Sequence, residues 1–462
     1  MRKERKFRRY DATPDAVEAE LDEEPGDVLV DPATNKYRTS PMLRIVLLVA
    51  VFTFVTGYIV APKLSSWADT VYSSSSSSTA SSTQSVDVFA DLPFTVYNEY
   101  TANDPISAKY PWDYIVEPMK ATYLEVKEPQ EGVTYSWQVD GEFIGEGAAV
   151  TMMFTEANLE QELTLRSTVD ASSVATTSSI NVNVKYVRRE LRNLLEQDRV
   201  AFFQAVAIMQ RVPTQAGKEI FGSNYRSRDF FNRMHLYFGG SKSCDHWHQG
   251  PGFVVTHFAF SYMYEKSLQS INPSVTLPYW DFTLESTFYT PETFRDSSVF
   301  SDGWFSSAQP NNTMATPDSG RFAYVPVMKN AQNFSQLYNS YGLLRSPWNA
   351  DPNAFMTRSP KIYELYNNLK PSGCSEYNGG LQKRDWKTLS ITLNSATHGH
   401  LHELMGGSWN AKSHKLEFRN TTDEDAMDAV YEFAHGTEAW AKLMWRFGYM
   451  DCNEDNARSE ER

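Results

Sequence analysis

Hydrophobic and polar positions alternate with a period of two in the first folded region of the chain. Within 133–139 the apolar residues Val, Tyr, Trp and Val occupy every second position, and the stretch runs into Asp140-Gly141. The same alternation returns over 180–186. Such alternation is typical of half-buried strands, and Asp-Gly is typical of a hairpin turn. We therefore predict an all-β, immunoglobulin-like sandwich over residues 93–186, serving as a spacer or recognition module.

The hydrophobic period changes at residue 187. Apolar residues recur at helical spacing from Leu191 to Met209, and Pro213 stops the run. This predicts a helix of about 22 residues that opens a mainly α domain over residues 187–452. Residues 282–385 are rich in Pro, Asn, Ser and Gly without sustained periodicity, so long loops with short helices are expected there.

One apolar segment precedes both domains. Residues 45–61 carry no charge, and Met42-Leu43 extends them to the short end of what spans a bilayer. Basic residues before this segment place the N-terminus in the cytosol. A cleaved signal peptide is the alternative, but its n-region would exceed 40 residues and no clear small-x-small cleavage site follows. We predict that 42–62 is the signal-anchor of a single-pass type II membrane protein whose main domains are luminal or extracellular.

The flanks of this predicted anchor have biased composition. Residues 1–41 are basic and then acidic, which predicts a disordered cytosolic tail. Residues 63–92 are dominated by Ser and Thr and predict a stalk, while 453–462 form a charged tail. Potential N-glycosylation sites, all on the translocated side, lie at Asn311, Asn333 and Asn420.

The composition of the chain limits the functions that are expected of it. A chain of 462 residues exceeds the usual size of one hydrophobic core, and an aromatic content of 14% suits a large packed interior. The net charge is −14 and no basic face appears beyond the extreme N-terminus, so nucleic acid is excluded as an expected partner.

Three cysteines leave at least one thiol unpaired in an oxidising compartment. A disulfide between Cys374 and Cys452 is the predicted pairing. Cys244 would then be the remaining thiol.

Histidines mark the region where chemistry is expected. All nine lie between His235 and His435. His398 and His402 are four residues apart, so on a helix both rings share one face. Neutral imidazole suits copper, zinc and iron, and the chain has no His-Glu-x-x-His zinc motif. The pattern predicts metal held by imidazole from two histidine-rich segments.

A set of motifs in a fixed order carries a family resemblance. The histidines of the first segment are nine residues apart, the second segment ends at a glycine pair, and an acidic residue stands seven positions before the last histidine. The motifs are His248 with His257, Leu277-Pro278-Tyr279-Trp280-Asp281, His398-x-x-x-His402 with Gly406-Gly407, and Asp428 with His435. In this order they resemble the tyrosinase and catechol oxidase (polyphenol oxidase) family of type 3 binuclear copper proteins over residues 187–452.

The resemblance implies a four-helix core that holds two copper ions per chain. It implies oxidation of ortho-diphenols to ortho-quinones with O2, so that O2 and phenolic small molecules are the expected partners. The implied ligands are His235, His248 and His257 for one copper, and His398, His402 and His435 for the other.

Three positions depart from the family pattern. Thr256 stands where the family often has Trp, and Ala439 replaces a common acidic residue. Gly399 stands where Asn is frequent in members that hydroxylate monophenols, which makes it a candidate substrate-side position. These departures argue against monophenol hydroxylation more than against diphenol oxidation.

Some histidine assignments have alternatives. His246 competes with His248, because Cys244-x-His246 resembles the Cys-x-His pairing that forms a thioether in fungal members; the nine-residue step favours His248. His400 is expected to point away from the ligand face as a bystander or substrate-side residue. His414 is expected at the surface.

Three functions are consistent with this sequence. The leading one is a membrane-anchored copper oxidase of diphenols. The alternatives are an O2-binding copper protein without catalysis and a structural or adhesion protein with a decayed copper domain. The presence of all six implied histidines argues against decay.

Overall fold

The computed structural model describes residues 92–102, 112, 114–169, 173–240, 245, 247–248, 252–329, 343–344, 351–359 and 369–405. From Phe94 onward these residues belong to one compact unit. No helix within the described ranges is both long and apolar enough to cross a bilayer. The predicted tails, the anchor at 42–62 and the stalk lie outside them, apart from residue 92, and stay predictions.

The N-terminal part of the described chain consists of two β-sheets. Their strands are β1 (Phe94–Tyr97), β2 (Ile115–Val116), β3 (Ala121–Val126), β4 (Val133–Val139), β5 (Glu142–Glu146), β6 (Ala149–Met153), β7 (Glu160–Val169) and β8 (Val174–Val184). One sheet has the order β1-β3-β6 and the other β2-β8-β7-β4-β5. Strand β2 pairs parallel with β8, whereas the other neighbours pair antiparallel.

Alternating residues of β4 form the centre of the β core. The strand lies where the period-two pattern predicts it, with Tyr135, Trp137 and Val139 buried. Asp140 and Gly141 both have positive φ, at 51° and 81°, which suits the tight turn into β5. Trp137 meets Phe94 of the other sheet edge-on at 5.2 Å between ring centroids. Side chains of both sheets therefore share one apolar core, while the immunoglobulin-like class stays a prediction.

Helices dominate the described chain after residue 190. They are α1 (Glu196–Met209), α2 (Thr214–Phe221), α3 (Arg228–Gly239), α4 (Phe253–Ile271), α5 (Thr283–Phe288), α6 (Cys374–Leu381), α7 (Trp386–Thr392), a π-helical segment (Leu393–Gly399) and α8 (His400–Leu404). The predicted loop region 282–385 contains only short helices among its described residues, as its composition indicates.

The first predicted helix begins later than the hydrophobic period indicates. Leu191–Asn193 form a 3₁₀ turn, and Leu194 and Leu195 are extended, with ψ of 136° and 148°. The Glu190 carboxylate accepts the Arg192 amide hydrogen. The Leu191 amide hydrogen goes to the carbonyl of Tyr279 instead of joining a helix. Pairing with a distant segment thus overrides the local period, and the prediction of a helix from Leu191 was wrong.

A buried polar contact joins the β-sheets to the helices. Arg189 donates to both oxygens of Glu117, at 2.6 and 2.7 Å, and the Glu117 side chain is 1% exposed. The Asn98 amide donates to the same carboxylate at 2.7 Å. The guanidinium lies 3.7 Å from the centroid of the Tyr100 ring, whose hydroxyl donates to Asp198 of α1. The β part is therefore docked on the helical part through a specific network.

Apolar side chains of α1, α3 and α4 form the core of the helical part. Its fully buried members include Phe203, Met209, Phe230 and Leu268. Phe231 of α3 packs against Phe260 and Tyr264 of α4, and these two helices carry His235 and His257.

The motif at 277–281 is held by its backbone. Tyr279 is 55% exposed, and its backbone pairs with residues 189–191. Asp281 accepts hydrogen bonds from the amide and the hydroxyl of Thr283, at 3.2 and 2.6 Å, and so holds the start of α5. The Cys374 thiol is exposed and free among the described residues, and Cys452 lies outside them, so the disulfide between these two cysteines stays a prediction.

Candidate metal centre

Helices α3 and α4 each deliver one histidine into the gap between them. The Ser227 hydroxyl accepts the Phe230 amide hydrogen and starts α3, and His235 follows the buried Phe231 by one turn. His257 lies in the first turns of α4, four residues after Phe253. Both rings are therefore carried by regular backbone whose opposite ends are anchored in the apolar core.

A third histidine joins them from the segment between the two helices. One ring nitrogen each from His235, His248 and His257 can be chosen so that all three lie within 4.8 Å of one another. The Nε2 atoms of His235 and His248 are 3.0 Å apart. His248 is thus placed in the cluster, as the nine-residue step predicts, while His246 lies outside the described residues.

Hydrogen bonds on the outer nitrogens define which ring atom faces inward. The Nδ1 of His257 lies 2.8 Å from the Phe253 carbonyl oxygen, and the Nδ1 of His248 lies 3.1 Å from the Asp245 carboxylate. An oxygen acceptor requires hydrogen on Nδ1, which leaves the lone pair on Nε2. The Nε2 of His257 is buried and has no hydrogen-bond partner among the described residues. A buried lone pair without a donor is what a metal ion would satisfy.

Asp245 is the functional residue that sequence reasoning missed. It is fully buried, and its Oδ1 accepts the amide hydrogens of Trp247 and His248 at 3.0 and 2.9 Å. The same carboxylate meets the His248 ring, so one side chain sets both the turn and the orientation of the imidazole. An Asp three residues before a ligand histidine was the available signal, because Asp commonly bonds the amides that follow it.

A second histidine pair lies next to this cluster. His398 belongs to the π-helical segment and His402 to α8, and their Nε2 atoms are 2.9 Å apart. The Nδ1 of His398 lies 3.3 Å from the carbonyl oxygen of Asn394. The prediction that His398 and His402 share one face is confirmed. His398 lies in a π-helical segment, and such segments are common at functional sites.

The two histidine groups are in contact. The His398 ring centroid lies 5.1 Å from that of His257 and 6.1 Å from that of His248. Phe253 lies against both groups, 4.3 Å from His257 and 4.8 Å from His398. His398 of the second group therefore lies directly against His248 and His257 of the first group.

Burial keeps the imidazoles of His235, His257 and His398 neutral. Burial, together with the neighbouring His248, lowers the pKa of His235 to about 3. Burial, together with His402, lowers the pKa of His398 to about 3, and burial lowers the pKa of His257 as well. Neutral imidazole is the form that binds metal, so protons do not compete for these nitrogens near neutral pH.

Of the remaining residues considered for the site, His400 and Gly399 are described by the structure and five others are not. The Nε2 of His400 lies 2.9 Å from the Lys370 carbonyl oxygen, which takes this ring away from the cluster. Gly399 follows His398 directly, and a Cβ added to it would lie 3.1 Å from the Asn394 carbonyl oxygen. The others, Cys244, His246, His414, His435 and Ala439, lie outside the described residues.

Comparison with known families finds a match over the segment that carries these histidines. Residues 223–429 match a family described as the common central domain of tyrosinase. This segment of the chain therefore resembles the central domain of tyrosinase. The match includes all five described histidines of the centre, and the family implies copper binding and oxidoreductase activity.

Individual relatives are similar to this chain over shorter segments than the family match is. Grixazone synthase from Streptomyces griseus subsp. griseus is 45% identical over 38 residues, which are 8% of this chain. The chain spans 12% of the length of that relative. A lytic polysaccharide monooxygenase structure from Jonesia denitrificans aligns with 20% of this chain and 77% of its own, at 14% identity and a TM-score of 0.13. The resemblance to tyrosinase therefore rests on the family match over residues 223–429 and on the histidines of that segment.

Proposed function

We propose that the protein is a type 3 copper oxidase that uses O2 to oxidise ortho-diphenols to ortho-quinones. The observation that carries this proposal is the contact between two histidine groups whose Nε2 atoms approach each other, at 3.0 Å in the first group and 2.9 Å in the second. The proposed ligands of two copper ions are His235, His248 and His257 in the first group and His398, His402 and His435 in the second. His435 enters through the family resemblance.

The residues present fit copper. Imidazole nitrogens bind small divalent metals at about 2.0–2.1 Å. The Nε2 atoms within each group are 3.0 Å apart for His235 and His248, and 2.9 Å apart for His398 and His402. When bound, a copper pair supplies the two electrons that O2 requires and accepts two from the diphenol.

The protein contributes orientation and exclusion of water. Acceptors on Nδ1 prevent the His248 and His257 rings from rotating, since rotation would break a hydrogen bond in a buried setting. Phe253, itself buried, closes one side of the space between His257 and His398. Preoriented neutral ligands lower the reorganisation needed when metal or substrate binds.

Diphenols are proposed as substrates rather than monophenols. Gly399 has no side chain that could hold a base or a water molecule beside His398. The Thr256 hydroxyl donates to the Gly252 and Phe253 carbonyl oxygens of its own helix, at 3.0 Å each, and so is occupied. A catechol already carries the hydroxyl that monophenol hydroxylation would have to add, so it depends less on such a base.

Copper content and turnover of the full chain test this proposal. We expect two copper ions per chain and oxidation of catechol, with little or no hydroxylation of a monophenol such as tyrosine. Copper and reversible O2 binding without catechol turnover would instead indicate a carrier. A chain that takes up no copper would indicate a structural role.

Gly239 offers a test of the first histidine group. A Cβ at Gly239 would lie 2.8 Å from Cε1 and 3.1 Å from Nδ1 of His248, so Gly239→Ala must displace that ring. We expect copper affinity to fall by about 10–100-fold, the usual cost of disturbing the support of a ligand. Isothermal titration with copper measures this.

The control is Gly379→Ala in α6, where an added Cβ meets nothing within 4 Å. An exposed helical Gly→Ala change is otherwise stabilising by about 0.5–1 kcal/mol. Equal copper affinity in the two variants would show that His248 is not a ligand.

A further inference from the structure

We propose that Asn394 is a positioning residue that fixes the two histidine groups relative to each other, through a hydrogen bond from its side chain to the backbone of His248. This inference rests on the proposed function, in which the two groups form one binuclear centre. Neither the motif pattern nor the family match assigns a role to this asparagine.

The first observation is a bond between segments that are distant in sequence. The Nδ2 of Asn394 donates to the carbonyl oxygen of His248 at 2.6 Å, across 146 residues. Asn394 lies in the π-helical segment of the second group, and His248 lies in the first group. The bond therefore runs directly from one group to the other.

The second observation is that Asn394 also holds His398. Its backbone carbonyl oxygen lies 3.3 Å from the Nδ1 of His398. In a π-helix, side chains four positions apart lie near the same face, which places the Asn394 amide and the His398 ring on one side. One residue thus contacts a histidine of each group, with its side chain toward His248 and its main chain toward His398.

His248 is the histidine that most needs such support. His235 and His257 lie on α3 and α4, whereas His248 lies in the turn between those helices. Asp245 fixes its ring and its amide from within the same turn. The bond from Asn394 is what ties this turn to the second group.

The chemistry of the bond requires a donor. A backbone carbonyl only accepts, so the Asn394 amide satisfies it and a carboxylate at the same position does not. Asn394→Asp keeps the size of the side chain but turns an oxygen toward the His248 carbonyl oxygen. The isosteric change therefore separates hydrogen bonding from packing.

The test compares Asn394→Ala, Asn394→Asp and a neighbouring control in the full chain. Ser395→Ala is the control, because the Ser395 hydroxyl bonds the Ile391 carbonyl of its own helix at 2.9 Å and does not cross between the groups. Hydrogen exchange is measured in the metal-free protein at the amides of Trp247 and His248. Copper(II) binding is measured by titration in the same four proteins, including wild type.

We expect both Asn394 variants to exchange these amides about fivefold faster than wild type, the effect of losing one net hydrogen bond. We expect their copper affinity to fall by about tenfold, with Ser395→Ala unchanged in both measurements. Unchanged amide exchange in the Asn394 variants would overturn the inference. Faster exchange would also overturn it if these variants bound copper as tightly as Ser395→Ala.

Failure of the wild-type chain to bind copper would contradict the proposed function. Faster exchange in the Asn394 variants would then still identify Asn394 as the link between the two histidine groups.

Discussion

Replacing His257 by Ala is expected to remove one copper ion per chain and to abolish diphenol turnover. Its Nε2 is buried without a hydrogen-bond partner, and its Nδ1 is held by the Phe253 carbonyl, so the ring has one free lone pair aimed into the centre. Loss of a supporting residue alone costs about 10–100-fold in metal affinity, so loss of the ligand should cost more than about 100-fold. His402→Ala should have the same effect on the second copper.

His400→Ala is the matched control for this experiment. His400 lies two residues from both His398 and His402, but its ring bonds the Lys370 carbonyl away from the centre. Copper per chain by elemental analysis, together with catechol oxidation, should leave this variant close to wild type. Two bound copper ions in His257→Ala or His402→Ala would break the ligand assignment.

Local spacing predicted much of the centre. The four-residue step from His398 to His402 depends on backbone regularity within a short stretch, which converts such spacing into a common face. The nine-residue step from His248 to His257 was instead recognised as part of the motif order that resembles a known family.

Contacts across the chain could not be predicted in this way. The bond from Asn394 to His248 spans 146 residues, and the ring contacts between the two groups depend on how α3, α4 and the π-helical segment pack. The π-helical register itself has no simple sequence pattern. A single sequence therefore indicates which histidines converge within a segment, whereas tertiary packing determines how the segments meet.

The delayed start of α1 has a related cause. The apolar period from Leu191 predicts a helix, but the backbone of 189–191 pairs instead with Tyr279. A hydrogen bond to a distant segment satisfies the same amide that a helix would have used. Sequence-based boundaries are therefore weakest where one segment bonds another.

The segment before α1 also connects the β part with the metal centre. Arg188 forms a bidentate ion pair with Glu265 of α4, at 3.0 and 2.6 Å. The next residue, Arg189, forms a bidentate ion pair with Glu117 of the β part. Helix α4 carries His257 near its other end. Adjacent arginines thus link the β-sheets to a helix of the centre, so the β part is a structural component of the whole rather than only a spacer.

Glu117→Gln is expected to destabilise the protein by about 3 kcal/mol. Breaking a buried ion pair by removing one charge usually costs about 3–5 kcal/mol, because the other charge stays buried, and the 13% exposure of Arg189 favours the lower end. A glutamine amide would also turn donors toward Arg189 and Asn98, which are themselves donors.

Glu196→Gln provides the same chemical change at an exposed ion pair. Glu196 is 72% exposed beside Arg199, where such pairs contribute about 0–1 kcal/mol. Urea unfolding of the full chain, followed by circular dichroism, measures both variants against wild type. If Glu117→Gln lowers the free energy of unfolding no more than Glu196→Gln does, the Glu117 pair does not hold the β part to the helices. A decrease of about 3 kcal/mol would show that the stability of the copper-binding part depends on the β-sheets docked against it.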